Sequence, residues 1–298
     1  MTGLTPVWRS LLYVPAHVEK FVASAHTRGA DAIILDLEDS VPASEKARAR
    51  DALAAAVAAV GQAGADVLVR INATPDLAGD DITAAVRAGA SALSIPKAER
   101  VDQIRALDEQ VATAEAFAGV EIGHTRLILI IETAAGYLDM LAVAKASRRT
   151  VAICLGAEDF ALDLGMEPND DTLRGPRQQV VIVAAAAGVM PLGLIGGATR
   201  FDDPEGYRAL AVRSRQFGFV GSTCIHPNQA AILNEAFAAS SEELAYARRV
   251  LAGAAEASGT GRAAFALDGK MIAIPVVRRA EQLLARQSVI DGRTSRAG

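Results

Sequence analysis

Ile128–Gly136 reads I-L-I-I-E-T-A-A-G, and Ile153–Gly165 reads I-C-L-G-A-E-D-F-A-L-D-L-G. Each is an apolar run that stops at a carboxylate, passes through small residues and enters a helical pattern. An apolar run without alternation suits a strand covered on both faces, as in a parallel sheet. A carboxylate at the C-terminal end of such a strand stands where α/β barrels carry their chemistry. On successive strands, Glu132 and Asp159 are placed to share one hard cation.

Working outward, the same reading finds eight apolar runs, each followed by a helix-compatible segment. They are Leu11–Ala16, Ala32–Asp39, Val67–Ala73, Ala92–Glu99, Leu127–Thr133, Val151–Asp159, Pro191–Ala198 and Phe219–Pro227. Their spacing, typically roughly 25–35 residues, fits one strand plus one crossover helix. Glu45–Val60 opens with charge and continues with apolar residues at helical spacing; Asp80–Gly89 and Val101–Phe117 are similar. Gly61, Gly89, Gly188 and Gly218 fall where helices should end. Eight such repeats predict an α/β fold of the TIM (β/α)8 barrel type. An open doubly wound sheet is the alternative, but no G-x-G-x-x-G follows the first run. The barrel is expected over residues 1–232 and a C-terminal helical extension over 233–298, too short for a sizeable core of its own.

Composition bounds the function. The chain has 298 residues, 51% hydrophobic and 22% charged, with aromatics at only 4%. This is globular composition, and its many small residues suit close packing of helices on a sheet. The net charge of −5, without a long basic run, argues against nucleic acid as a partner. Cys154 and Cys224 each sit in an apolar run and read as reduced, buried thiols. No apolar run approaches the roughly 20 residues of a membrane span, and the first residues lack a signal-peptide pattern. A cytoplasmic protein without membrane contact is the expectation.

The polar residues at the expected strand ends form one set: His17; Asp36, Glu38 and Asp39; Arg70 and Asn72; Lys97 and Glu99; Glu132; Glu158 and Asp159; His226. Arg9 stands just before the first run. Each has a plainer role open to it. Glu132 and Asp159 could cap helices or pair with cations. Asp36, Glu38 and Asp39 could neutralise Arg9, Arg70 and Lys97. His226 could be a hydrogen-bonded structural residue. Asp268, in L-D-G-K, reads from spacing alone as a turn residue.

The motifs together resemble the citrate lyase beta-subunit/malyl-CoA lyase family, within the wider aldolase superfamily of metal-dependent TIM barrels. The resemblance runs from R-S-L-L-Y-V-P-A at Arg9 to D-G-K-M-I at Ile272. Between them lie G-A-D-A-I-I-L-D-L-E-D-S-V with K-A-R-A-R after it, V-R-I-N, I-P-K-A-E, I-I-E-T-A-A-G, G-A-E-D-F-A-L-D-L-G and I-H-P-N-Q. It implies Mg²⁺-dependent carbon–carbon lyase chemistry on acyl-CoA thioesters, with Mn²⁺ as a substitute metal. Glu132 and Asp159 correspond to its metal ligands and Arg70 to the arginine beside the metal. Asp268 corresponds to an acid/base aspartate on a C-terminal lid that serves an adjacent subunit. Arg9 and Lys97 look suited to the CoA phosphates or the thioester arm. The resemblance further implies a homotrimer or homohexamer.

One departure is visible. Many relatives with this lid carry an acid shortly after the Met of D-G-K-M-I, where this chain has Ala273. The change bears on lid packing or substrate choice rather than on reaction class. Malyl-CoA, methylmalyl-CoA or citramalyl-CoA are the implied substrates. A CoA thioesterase, a citrate lyase beta subunit acting on a citryl thioester, an aldolase of free keto acids and a catalytically silent subunit are the competing readings.

Overall fold

The computed structural model describes residues 6–196, 202–259 and 264–297. Residues 197–201, which include the end of the seventh apolar run, and residues 260–263 lie outside the described residues. The chain folds as two compact units, one ending at Phe237 and one beginning at Ala238. The helix Pro227–Ala236 runs unbroken past residue 232 and belongs to the first unit.

The first unit is an eight-stranded, all-parallel sheet. Its strands are β1 (Ser10–Pro15), β2 (Ala32–Asp36), β3 (Asp66–Arg70), β4 (Ala92–Ile95), β5 (Arg126–Ile131), β6 (Thr150–Leu155), β7 (Met190–Leu192) and β8 (Ser222–Cys224). The order β7-β6-β5-β4-β3-β2-β1-β8 places β7 and β8 at the two ends, and a bridge from Leu192 to Gly221 brings those ends together. The Gly193 N–H donates to Gly221 O at 2.8 Å and the Val220 N–H to Pro191 O at 3.1 Å. A Cβ at Gly221 would lie 1.9 Å from the Trp8 carbonyl oxygen, so only glycine lets the seam close. The expected barrel is therefore the observed one.

Side-chain alternation sorts each strand between two cores. Leu12, Ile33, Leu35, Val69, Leu129 and Ile131 pack outward under the helices. Leu11, Ile34, Leu68, Ile128, Ile130 and Cys154 pack inward with Trp8 as the barrel filling. With a period of two, the same inward rows continue to Tyr13, Arg70, Glu132 and Cys154 at the C-terminal end. Both cysteines are buried free thiols, as expected.

The strands stop earlier than the apolar runs imply. β2 ends at Asp36 rather than Asp39, β4 at Ile95 rather than Glu99, and β6 at Leu155 rather than Asp159. The polar residues beyond these ends belong to loops and first helical turns. Gly188 and Gly218 cap helices in the left-handed conformation, at φ 75° and 106°. Gly61 instead ends the helix Leu53–Gly61 from within, and Gly64 takes the positive φ of 84°.

In the second unit, helix Ser241–Gly259 and helix Ile274–Ala297 flank an antiparallel hairpin of β9 (Phe265–Leu267) and β10 (Lys270–Ile272). Ala247, Val250, Ile272 and Ala280 form its small apolar cluster. Asp268 and Gly269 make the hairpin turn at φ 51° and 72°, the double positive that a two-residue turn demands. No helix among the described residues is long and apolar enough to cross a membrane.

Candidate active site

Glu132 is the first residue beyond β5. It is buried, and it does not cap the helix that follows: Thr133 does, its side chain accepting the Gly136 N–H. One carboxylate oxygen, Oε2, accepts the Lys97 N–H at 2.7 Å. To aim that N–H, Lys97 adopts φ 50°, a conformation uncommon for a side chain of its kind. The other oxygen, Oε1, lies against Gly156, where an added Cβ would come within 2.5 Å. Burial pushes the Glu132 carboxyl up to about 7, against the donated N–H, and the nearby Asp159 and Asp39 charges push the same way. Asp159 itself stands in the first turn of the helix Ala157–Leu164, whose N-cap is Gly156. The strand-end position expected for it is corrected by one turn of helix.

Arg70 closes β3 over the Tyr13 ring, 4.9 Å from its centroid. Asp36, closing β2, takes its Nε and Nη2 at 2.7 Å each, a two-pronged pairing that fixes the guanidinium plane. The remaining Nη1 lies 3.0 Å from Glu38 and 3.2 Å from Asp39. Asp36 also accepts the N–H groups of Glu38 and Ser40 and the Ser40 hydroxyl. Burial pushes its carboxyl up, but the Arg70 and Ser40 bonds outweigh burial and hold it below the ordinary range. Glu38 meets Arg70 through charge alone, its Oε2 making no hydrogen bond of proper geometry. Burial drives it up to about 7 despite Arg70, with Asp39, Glu132 and Asp36 adding to the rise. The expectation that these acids neutralise Arg70 is met; the one that they serve Arg9 and Lys97 is not.

The loop after β2 is tied by Lys46, whose ammonium donates to the carbonyls of Leu37 and Glu38 and to Asn72 Oδ1. Asn72 is itself fixed by Asp81. The K-A-R-A-R stretch thus builds the loop that carries Glu38 and Asp39.

These elements enclose a cavity of about 270 Å³ lined by Tyr13, Arg70, Glu132, Cys154, Asp159 and Arg177, with Phe219, Ser222 and Thr223 opposite. Arg177 was not visible as a site residue in the sequence, because it lies inside the helix Asp170–Ala187 rather than at a strand end. Burial pushes the Cys154 thiol up to about 12, so it is an inert wall.

Of the remaining sequence-derived candidates, Arg9 and Asp268 lie elsewhere and Lys97 enters the site only through its backbone. Arg9 precedes β1 and therefore sits at the N-terminal end of the barrel. Its Nε and Nη2 bind Asp31 at 2.8 Å each and its Nη1 binds the Asn234 carbonyl oxygen. A parallel barrel separates that end from the cavity by a strand length, so Arg9 is corrected to a structural ion pair. Lys97 contributes its N–H to the site, while its side chain is exposed. Asp268 lies in the second unit, where it pairs with Arg249. His226 is the structural residue it was read to be, its Nδ1 accepting the Asn228 N–H at the N-cap of the helix Pro227–Ala236.

The donor set suits a small hard cation. Among the described residues no three His, Cys, Asp or Glu side chains cluster as a ready-made cage. Mg²⁺ does not require one: it is commonly held by one or two carboxylates with water and substrate oxygens. Glu132 and Asp159 face one cavity, the charge of Asp159 acts on Glu132, and neither forms an ion pair with a described residue.

The family model described as HpcH/HpaI aldolase/citrate lyase matches residues 9–227. The citrate lyase subunit beta of Leuconostoc mesenteroides is 32% identical over 280 residues, covering 93% of this chain and 92% of that protein. The L-malyl-CoA/beta-methylmalyl-CoA lyase of Cereibacter sphaeroides is 32% identical over 300 residues, covering 93% and 92%. The crystal structure of CitE from Mycobacterium tuberculosis, in complex with magnesium, acetoacetate and coenzyme A, superposes with a TM-score of 0.74 at 31% identity. The match covers 96% of this chain and 100% of that one.

Proposed function

The chain belongs to the HpcH/HpaI aldolase/citrate lyase family, and from that premise we propose a Mg²⁺-dependent carbon–carbon lyase of 3-hydroxyacyl-CoA thioesters. The substrates proposed are malyl-CoA, methylmalyl-CoA or citramalyl-CoA, and the products acetyl- or propionyl-CoA with glyoxylate or pyruvate. The observation that carries this reading is the buried Glu132 carboxylate, facing one cavity together with Asp159 and Arg70.

Glu132 and Asp159 are the proposed metal ligands. When bound there, Mg²⁺ would polarise the oxo-acid carbonyl or stabilise the corresponding alkoxide. The bond that breaks joins the hydroxyl-bearing carbon to the carbon α to the thioester. The hydroxyl passes its proton to solvent and becomes the carbonyl, and the bonding pair becomes the thioester enolate. That charge needs a fixed donor, and Arg70 is permanently cationic and held in plane by Asp36. The enolate carbon then takes up one proton in return. Asp268, supplied by a neighbouring copy as the sequence resemblance implies, is the proposed acid, and the base in the reverse condensation. That role makes a closed homotrimer or homohexamer the proposed assembly.

The test is one assay panel of 3-hydroxydiacyl-CoA thioesters with Mg²⁺, with both products identified. A lyase releases acetyl- or propionyl-CoA with an oxo acid; oxaloacetate would point to a citryl thioester. Release of free diacid and CoA would replace the lyase by a thioesterase.

A further inference from the structure

Two guanidinium groups line the cavity, and their circumstances differ. Arg70 is charge-paired: Asp36 takes its Nε and Nη2, and Glu38 and Asp39 lie near its Nη1. Arg177 reaches the cavity from the helix Asp170–Ala187 and is 9% exposed. Its Nη1 is buried with no hydrogen-bond partner, and the side chain forms no ion pair among the described residues. The charges of Asp170 and Glu158 act on it only through space, and burial outweighs them, holding the guanidinium below its ordinary pKa.

A buried, unpartnered guanidinium destabilises a fold. It persists where a ligand completes it. The ligand is anionic, because guanidinium has donors only, and planar and two-pronged, because that is the shape guanidinium matches. The cavity walls around it are mixed: carboxylates at Glu132, Glu158 and Asp159, hydroxyls at Ser222 and Thr223, and the Phe219 ring. A cation held by Glu132 and Asp159 would offset their charge, and Arg177 is then the cationic side chain in the cavity without an ion pair of its own among the described residues.

We propose that Arg177 is a specificity-determining residue that receives the carboxylate of the oxo-acid half of the substrate through its open guanidinium edge. This rests on the lyase reading and deepens it, since it sets which thioesters the cavity accepts. Acyl groups with a carboxylate beyond the hydroxyl-bearing carbon are taken, and simple 3-hydroxyacyl chains ending in methyl are refused. Arg70 serves the thioester half, and Arg177 the acid half.

The experiment compares wild type, Arg177→Met and Arg177→Lys by calorimetric titration with pyruvate and with its neutral amide, in Mg²⁺, alongside thermal unfolding. Loss of one charge-assisted contact should weaken pyruvate binding roughly 10–100-fold in Arg177→Met. Arg177→Lys should recover part of it, and neither variant should change binding of the amide. Arg177→Met should melt at or above the wild-type temperature, because it removes an unpaired buried charge. Pyruvate bound equally by wild type and Arg177→Met would overturn the proposal, as would a wild type that binds no pyruvate. A lowered melting temperature with no recovery in Arg177→Lys would make the residue structural and overturn it too. Arg177-dependent pyruvate binding in a wild type that cleaves no thioester would sink the lyase reading and leave this assignment standing. Cleavage with an unchanged KM in Arg177→Met would do the reverse.

Discussion

Glu132 is held by backbone alone: the Lys97 N–H on one oxygen and the bare Cα of Gly156 beside the other. Burial outweighs the Lys97 N–H and the charge of Arg70 and lifts its carboxyl to about 7, and Glu38 across the same field rises to about 7 as well. The consequence for pH follows from linkage. The ordinary value for both is 4.5. Between that value and about 7 the folded, metal-free chain keeps protons that the unfolded chain has released. Stability therefore falls as pH rises through this window, and the contribution is lost above it. Mg²⁺ should reverse the trend, because it takes the place of the proton. Thermal unfolding at pH values from about 5 to about 8 checks this. The expected outcome is a melting temperature that falls with pH in chelator and is restored by Mg²⁺ at the alkaline end. A flat profile in chelator would show that these carboxyls are solvated.

At the scale of elements, the two ends of the strands differ. At the N-terminal end Arg9 and Arg149 are held in ion pairs. Arg149 binds both oxygens of Glu115 at 2.8 and 2.7 Å and also Asp108, and the N–H groups of Gly123 and Thr125 complete Glu115. Burial pushes Glu115 up, but Arg149 and those N–H groups outweigh it and hold the carboxyl low. Glu115→Ala should cost about 3–5 kcal/mol, since it leaves part of a buried guanidinium uncompensated. Urea unfolding reads that loss, while Mg²⁺ affinity is expected to stay at wild type; a cost under about 1 kcal/mol would contradict the pairing. The strands themselves were legible in the sequence, because β2 and β5 are apolar on both faces and nothing else accounts for such runs. Their ends were less so. Asp39, Lys97 and Asp159 continue the runs on paper, but the chain has already turned at Asp36, Ile95 and Leu155. Arg9 misled for a related reason. Adjacency to a strand does not say which end, and one residue before β1 means the far one. Arg177 carried no local signal at all, since a helix interior gives no hint of which side chain enters the lumen.

Taken whole, the chain joins a barrel with an acid-lined cavity at one end to a second unit with a hairpin of its own. The hairpin turn fits the plainer reading of Asp268 as a turn residue, and Arg249 now neutralises it. The two roles are compatible, since a tight turn is also a firm mount for an exposed carboxylate. Asp268→Asn preserves the turn and removes the proton carrier. Turnover should fall by about 10²–10⁴-fold with metal binding unchanged, and steady-state assay alongside metal titration separates the two; normal turnover would remove Asp268 from the mechanism.

The central claim is that Glu132 and Asp159 hold one divalent cation. Mn²⁺ binding, followed by electron paramagnetic resonance in wild type, Glu132→Gln and Asp159→Asn, tests it most directly. The account expects one tight site per wild-type chain and its loss in each variant separately. A variant of either residue that still binds Mn²⁺ with wild-type affinity would contradict it.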